Sequence, residues 1–287
     1  MQDFNGALAF ITGGASGIGL GIARALAAEG AVLALADLRE DHLAQAEGVA
    51  DAEGWGDRCL PLRLDVTDRA AYLAALDTAE ARFGPLRVLV NNAGVGINGP
   101  IAEASFADWD WGIDVNLKGV INGLVLGLPR LRAHGQPAAV LNTASLAPFI
   151  PARPLRGVYA AAKAAVVLAT EHLALDLADS PIGVSVLCPG PVTTNIHQAA
   201  LLRSDTYGEA SAAFRAVEAE SLAAAAPEPT PLWRDPLEVG ELCIKAMRER
   251  RLYVFPHPEF LPITHKRHAA IEAALEEAAQ ERAASGN

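Results

Sequence analysis

Three things are scarce in this chain of 287 residues: cysteine, positive charge and long apolar runs. Only three cysteines occur (Cys59, Cys188 and Cys243), far apart and with no CxxC pair. An odd number without framework spacing excludes a disulfide scaffold and points to reduced thiols in a reducing compartment. A core of this size needs no disulfides. Lysine and arginine total 23 against 34 aspartates and glutamates, a net charge of −11. That argues against a nucleic-acid surface, where a basic stripe is expected, and suits a soluble, cytoplasmic protein. No stretch approaches 18 apolar residues, so no transmembrane helix and no membrane partner is expected. The first ten residues, MQDFNGALAF, show no basic region before a long apolar core, so no signal peptide is expected. There is no internal repeat and no linker before residue 195.

What is present is apolar and helical. Hydrophobic residues make up 51% and charged residues 20%, which excludes general disorder. Alanine, about a fifth of the chain, suits helices packed closely on a sheet. Short apolar runs alternate with helical segments. Strands are expected at Ala7–Thr12, Val32–Asp37, Leu60–Asp65, Val88–Asn92, Ala139–Thr143, Val184–Cys188 and Leu252–Phe255. Helices are expected at Gly17–Glu29, Glu40–Glu53, Arg69–Phe83, Trp109–Leu131, Val158–Ala178 and Leu237–Arg248. The strand runs are continuous rather than alternating, as a sheet buried on both faces requires. Strand–helix alternation implies right-handed crossovers and a doubly wound parallel α/β sheet of seven strands, Rossmann-type, in one domain over 1–287. The segment 195–235, with its Pro227–Pro231 run, breaks the rhythm and reads as a mobile helical lid. A helical tail is expected over about 261–287, with an Ala/Glu-rich end, Glu272–Gly286, that frays.

Thr12-Gly13-Gly14-Ala15-Ser16-Gly17-Ile18-Gly19 follows the first strand and opens the first helix. Glycines there allow a tight turn and close approach of a pyrophosphate to free N–H groups at a helix start. A turn without a ligand fits the same string; the strand–turn–helix context favours the ligand. Asp37 ends the second strand, 20 residues after Gly17. A carboxylate there accepts both ribose hydroxyls of NAD and repels the 2′-phosphate of NADP. Arg39 nearby is a candidate for that phosphate, and a capping role for Asp37 is the plainer alternative. Asp65-Val66 ends the third strand, where an adenine would lie; capping of the next helix is again the alternative.

Tyr159 and Lys163 are four apart on a helix and share a face. The segment Gly157–Thr170 carries no other charge. A lysine snorkelling beside a core tyrosine fits that pattern. So does acid–base chemistry, in which a neighbouring ammonium and a cationic nicotinamide ring favour the phenolate. Ser145 ends the fifth strand, as a turn residue or as a hydroxyl placed to hold a substrate oxygen.

Taken together and in order, these motifs resemble the short-chain dehydrogenase/reductase superfamily in its short form. They are Thr12–Gly19, Asn91-Asn92-Ala93-Gly94, Asp114-Val115-Asn116, Ser145, Tyr159-xxx-Lys163 and Pro189-Gly190-Pro191-Val192-Thr193-Thr194. The resemblance covers about residues 5–200 strongly. It implies that Tyr159 is the general acid/base, that Lys163 lowers its pKa and bonds the nicotinamide ribose, and that Ser145 orients the substrate oxygen. It implies that Asn116 holds a water linking Lys163 to solvent. Asn92, Ala93 and Gly94 would lie along adenosine and ribose, and Pro189, Gly190, Val192 and Thr194 along the nicotinamide, with Val192 and Thr194 on the carboxamide. Gly13, Ser16, Gly17, Ile18 and Gly19 would hold the pyrophosphate, and Asp37, Leu38, Asp65 and Val66 the adenosine end. Tyr159 follows Ser145 by 14 positions, one more than is usual, so the loop Leu146–Gly157 is altered.

Ala36–Leu43, Asp108–Gly112, Asn142–Ala147, Pro189–His197 and Leu252–Val254 are similar to bacterial Cα-dehydrogenases that oxidise the benzylic alcohol of lignin β-aryl ethers. An apolar pocket is expected from Val95, Leu146, Phe149 with the loop to Pro151, and Ile196 to Leu202, with Trp233 to close it; plain packing roles for Phe149 and Trp233 are the alternative. Such a pocket takes an aromatic or bulky alcohol or ketone. A ketone reductase or hydroxysteroid dehydrogenase remains open on the same scaffold, as does a non-catalytic NAD sensor, which has no need of Asn116, Ser145, Tyr159 and Lys163. No metal site is expected, and His257, His265 and His268 read as surface or subunit-contact histidines. The helices around Asn116 and Tyr159 imply a homodimer or homotetramer.

Overall fold

The structure is a computed structural model that describes residues 1, 3–150, 154–223, 230 and 232–285. The expected Pro151, most of the Pro227–Pro231 run and Gly286 lie outside the described residues. Seven parallel strands stand in the order β3-β2-β1-β4-β5-β6-β7. They are β1 (Leu8–Thr12), β2 (Val32–Asp37), β3 (Cys59–Arg63), β4 (Leu86–Asn91), β5 (Ala138–Thr143), β6 (Ile182–Leu187) and β7 (Tyr253–Val254). The order reverses between β1 and β4, and a crevice opens there at the carboxyl ends of the strands.

Continuous apolar strands have a direct cause. Ala9 and Ile11 of β1 face one core layer, while Leu8 and Phe10 face the other. Ala139 and Leu141 of β5 divide from Ala138 and Val140 in the same way. Successive side chains alternate faces, so a sheet covered on both sides is apolar at every position. Each such buried Leu or Ile contributes about 1.5–3 kcal/mol. One face is covered by α1 (Gly17–Ala28), α2 (Glu40–Ala52) and α8 (Pro236–Glu249); the other by α3 (Arg69–Phe83), α5 (Gly119–Ala133) and α6 (Gly157–Asp176). Helices α1 and α8 cross at Gly21 and Gly240. A Cβ at Gly240 would lie 2.3 Å from the Gly21 carbonyl oxygen, so only glycine permits the crossing.

A buried polar chain ties the second face together. The Tyr72 hydroxyl donates to Asn91, Asn91 to Asn142 and Asn142 to Thr170. The expected helix 109–131 is instead α4 (Phe106–Ile113), a π-helical turn (Asp114–Lys118) and α5. It begins earlier because Ser105 and Asp108 form a reciprocal capping box. Segment 195–235 holds 3₁₀ turns at Ile196–Leu202 and Asp205–Tyr207 and then α7 (Ala212–Ala223). The tail forms α9 (Leu261–Ala284), with no buried residue.

Helix α6 is 20 residues long, with a mean hydropathy of 1.3 over its most apolar window, long and apolar enough to cross a membrane. Lys163, Thr170, Glu171 and His172 interrupt any continuous apolar run, yet the average stays high because most of the remainder is alanine, valine and leucine. Val158, Ala162, Val166, Val167 and Thr170 of this helix are buried in the protein.

Candidate active site

The site is built on the carboxyl ends of β1, β4 and β5. Asn92 straps them together. Its amide donates to the carbonyls of Thr12 (3.2 Å) and Gly13 (3.1 Å) and accepts from the Thr143 hydroxyl (3.1 Å). The Thr12 hydroxyl accepts from the backbone N–H groups of Asn92 and Ala93. The amide of Asn92 is thus occupied in holding the glycine loop.

That loop turns through left-handed conformations at Gly13 (φ +59°) and Gly17 (φ +49°). A Cβ on Gly17 would stand 2.8 Å from Thr194 Cγ2, so the loop and the segment after β6 close on each other. Ser16 is the N-cap of α1 but its side chain caps nothing, and the first turn holds no acidic residue. The orphan N–H groups of that turn, with the positive helix end, suit an anion. Ile18 and Gly19 lie on the same turn. Asp37 accepts from the N–H groups of Ala15 (3.3 Å) and Arg39 (3.1 Å), at the mouth of the crevice. The Arg39 guanidinium is paired with Asp41. Leu38 is exposed beside Asp37, and Asp65 accepts from the N–H and hydroxyl of Thr67. Capping of α3 falls to Asp68. Val66 is buried, its carbonyl accepting from Asn122. A glycine cradle, an uncapped helix start and a carboxylate at the end of β2 fit a dinucleotide.

Ser145, Tyr159 and Lys163 come together below Gly94. The Lys163 ammonium donates to the Thr143 carbonyl (2.8 Å) and lies 6.0 Å from the Tyr159 ring centre. A Cβ at Gly94 would lie 3.3 Å from that ammonium and 2.8 Å from Asn116 Oδ1. Asn116, fully buried on the π turn, accepts from the Val95 N–H and donates to the carbonyls of Val95 and Gly112. Burial pushes the Lys163 ammonium down to about 8. Burial also raises the Tyr159 phenol above its ordinary value, against the lowering effects of its hydrogen bond with Ser145 and of the Arg156 charge. A phenol, a hydroxyl and a tunable ammonium at one spot can hold an oxygen and move its proton.

An apolar wall stands beside the phenol. Val95, Ile97, Trp111, Ala199 and Phe214 form one cluster with Tyr159, and Ala147 and Leu202 pack on it. The segment 195–223 therefore lies over the tyrosine. Arg203 anchors it, pairing with fully buried Asp108 (3.0 Å) over the Trp111 ring. Leu146 is buried against Gly190. Ile196 is half exposed, with its carbonyl above Gly96. Phe149 packs edge-on against Phe255 (5.4 Å) and on the Val166–Val186 cluster, a packing role. Trp233 is partly buried next to Arg234, whose backbone pairs with Val192.

The histidines do not gather. His265 and His268 are exposed on α9, and His257 is buried against the loop after β6. Its Nδ1 accepts from the Gly190 N–H (3.0 Å) and its Nε2 faces the Pro191 carbonyl (2.9 Å). This overturns the surface or subunit-contact reading of His257. Sequence pattern gave no sign of it; the only hint was a histidine between two prolines.

A model described as short chain dehydrogenase matches residues 7–204. The chain belongs to the short-chain dehydrogenase/reductase family. It is an oxidoreductase of that family, with the set expected of NAD(P)-dependent alcohol dehydrogenases. A C alpha-dehydrogenase of Sphingobium sp. is 39% identical over 272 residues, covering 94% of this chain and 87% of that protein. A short chain dehydrogenase/reductase from Burkholderia phymatum, solved in complex with NAD, is 34% identical, with a TM-score of 0.86 over 96% of this chain and 97% of that one. LigO of Sphingobium sp., solved in its apo form, is 38% identical, with a TM-score of 0.79 over 97% and 92%.

Proposed function

We propose that this chain oxidises a bulky, aromatic secondary alcohol to a ketone with NAD, with the benzylic Cα alcohol of a lignin-type β-aryl ether as its substrate. The observation that carries the reading is the apolar wall beside Tyr159, made by Val95, Ile97 and Phe214. A wall without charge favours an aromatic ring over a small acid. The likeness to a C alpha-dehydrogenase supports the same choice. The carboxylate of Asp37, with Arg39 drawn to Asp41, supports NAD over NADP. The likeness to a family member solved with NAD agrees.

In this reading Ser145 holds the alcohol oxygen and Tyr159 takes its proton; burial by itself keeps the phenol protonated, and the positive charge of a bound nicotinamide beside Lys163 would favour the phenolate form. Lys163 holds the ribose, and Asn116 orders the proton path behind it. A bound nicotinamide supplies the carbon that accepts hydride. Positioning and proton transfer lower the barrier. Three free cysteines and the acidic surface suit a reducing cytoplasm, and the enzyme works as a homodimer or homotetramer.

Initial rates of NAD⁺ and NADP⁺ reduction test the proposal, with separate stereoisomers of a β-aryl-ether benzylic alcohol beside aryl carbinols and a hydroxysteroid. Stereoselective turnover of the ether with NAD⁺ is expected, with the NAD preference relaxed in Asp37→Ala. Turnover of the hydroxysteroid alone, or with NADP⁺ alone, overturns the substrate or the cofactor choice.

A further inference from the structure

The loop after β6 is held from outside by two distant residues. The Gly190 N–H donates to Nδ1 of His257, and the Pro191 carbonyl lies 2.9 Å from Nε2. The same carbonyl accepts from the Arg234 N–H (3.1 Å), and the Thr193 N–H donates to the Arg234 carbonyl (3.1 Å). The His257 ring lies against Gly190, where a Cβ would stand 2.9 Å from Cγ. The residue is 1% exposed.

These partners fix the state of the ring. A nitrogen that accepts from an N–H carries a lone pair, and one that faces a carbonyl carries the hydrogen. His257 is therefore the neutral Nε2–H tautomer. A proton added at Nδ1 would point an N–H at the Gly190 N–H across 3.0 Å. Two donors cannot share that contact, so the loop has to shift. Thr194, at the other end of the loop, touches Gly17 of the glycine turn, so the shift reaches the dinucleotide crevice.

We propose that His257 is a positioning residue whose neutral form holds the loop Pro189–Thr194 in the shape that receives the nicotinamide end of the cofactor, so that cofactor binding weakens in acid. The proposal rests on reading the chain as a nicotinamide-dependent dehydrogenase. Arg234 and Glu259, themselves paired, are the charged groups that bear on the ring: Arg234 opposes its protonation and Glu259 favours it. Burial, the largest influence, with Arg234 outweighs the Pro191 and Leu232 backbone carbonyls and Glu259, which favour the protonated ring, and holds its pKa below the usual histidine value. The folded protein thus binds this proton less readily than the unfolded chain. The stability contributed by the neutral ring is fully present above the unfolded-chain value of about 6.5 and is lost as the pH falls from there through the lower folded-state value.

The test compares wild type with His257→Asn and His257→Phe. Nitrogen NMR of the imidazole and hydrogen exchange of residues 189–194 are read in the cofactor-free protein, and NADH binding by fluorescence from pH 5 to 8. Asparagine keeps an acceptor for Gly190 and does not titrate; phenylalanine offers none. Expected are a neutral Nε2–H ring at pH 7 and NADH binding that weakens in acid for wild type but not for the Asn variant. The Phe variant should bind NADH about three- to tenfold more weakly at every pH, the worth of one net hydrogen bond, with faster exchange at 189–194. A ring protonated on Nδ1 at pH 7, the same acid weakening in the Asn variant, or unchanged exchange in the Phe variant overturns the proposal. If the Phe variant does not fold, the wild-type ring state and the Asn profile decide it. Wild type that binds no nicotinamide cofactor at any pH overturns the dehydrogenase reading instead, and faster exchange in the Phe variant then still supports the clamp.

Discussion

Lys163 sits in α6 with 3% of its surface exposed, and its ammonium donates to the Thr143 carbonyl. Burial pushes its pKa down to about 8. Between pH 8 and the ordinary lysine value near 10.4, the unfolded chain is protonated at this position and the folded one is not. Stability therefore rises with pH across that window. At pH 7 the charged form is retained at a cost of about 3 kcal/mol, a site where function and stability oppose each other. Lys163→Met should show no such rise, while wild type gains up to about 3 kcal/mol between pH 8 and 10. Urea unfolding at three pH values, with the difference between the two chains as the readout, checks this. Equal pH slopes would mean that the lysine is not desolvated. The Tyr159–Lys163 pair was legible because four residues make a helical turn. The clamp at His257 was not, because its partners are backbone atoms 67 residues away.

At the scale of elements, strand existence was legible from apolar runs, since both faces of the sheet are covered. Boundaries were less so. β3 ends at Arg63, two residues early, and β4 begins at Leu86, two early, where Glu80 accepts from the Leu86 N–H. The break between α4 and α5 was hidden, because a π turn keeps helical spacing nearly intact while it turns Asn116 to the Val95 backbone. The anchor of the segment over Tyr159 was hidden as well, because Asp108 and Arg203 lie 95 residues apart. Asp108 also accepts from Ser105 and Ser211, so α4, the 3₁₀ turns and α7 meet at one carboxylate. Removing the cation leaves a buried anion short of a partner, which costs about 3 kcal/mol. Arg203→Met should lower stability by that amount and open residues 195–223 to protease, with the substrate KM raised more than kcat is lowered. Limited proteolysis and steady-state kinetics read both effects. A variant with wild-type stability and KM would show that the ion pair does not hold the segment.

For the whole molecule, large apolar residues stand exposed on α3, α4, α5, α6, α7 and α9 and on several turns and the edge strand, and those on α5 and α6 bear on assembly. Ile121 and Val125 stand out on α5, and Leu168 and Leu175 on α6, with Val125 64% and Leu175 71% exposed. These are the two helices that the sequence marked for pairing from family resemblance, and their outward faces are what an isologous contact needs, since the same patch serves both copies. Single exposed leucines need no partner, but two large apolar residues on each of two helices of one layer are the kind of surface an association would cover. A glutamate at the centre of such a contact faces its own copy across the twofold axis and meets both desolvation and like charge. Val125→Glu and Leu168→Glu should each shift sedimentation toward the 30 kDa monomer, whereas a glutamate in place of Leu275 on α9 tests that separate exposed helix and should leave a contact through α5 and α6 intact. Assembly unchanged in the first two variants and lost in the third would move the interface to the C-terminal helix, which has no buried residue to hold it in place alone.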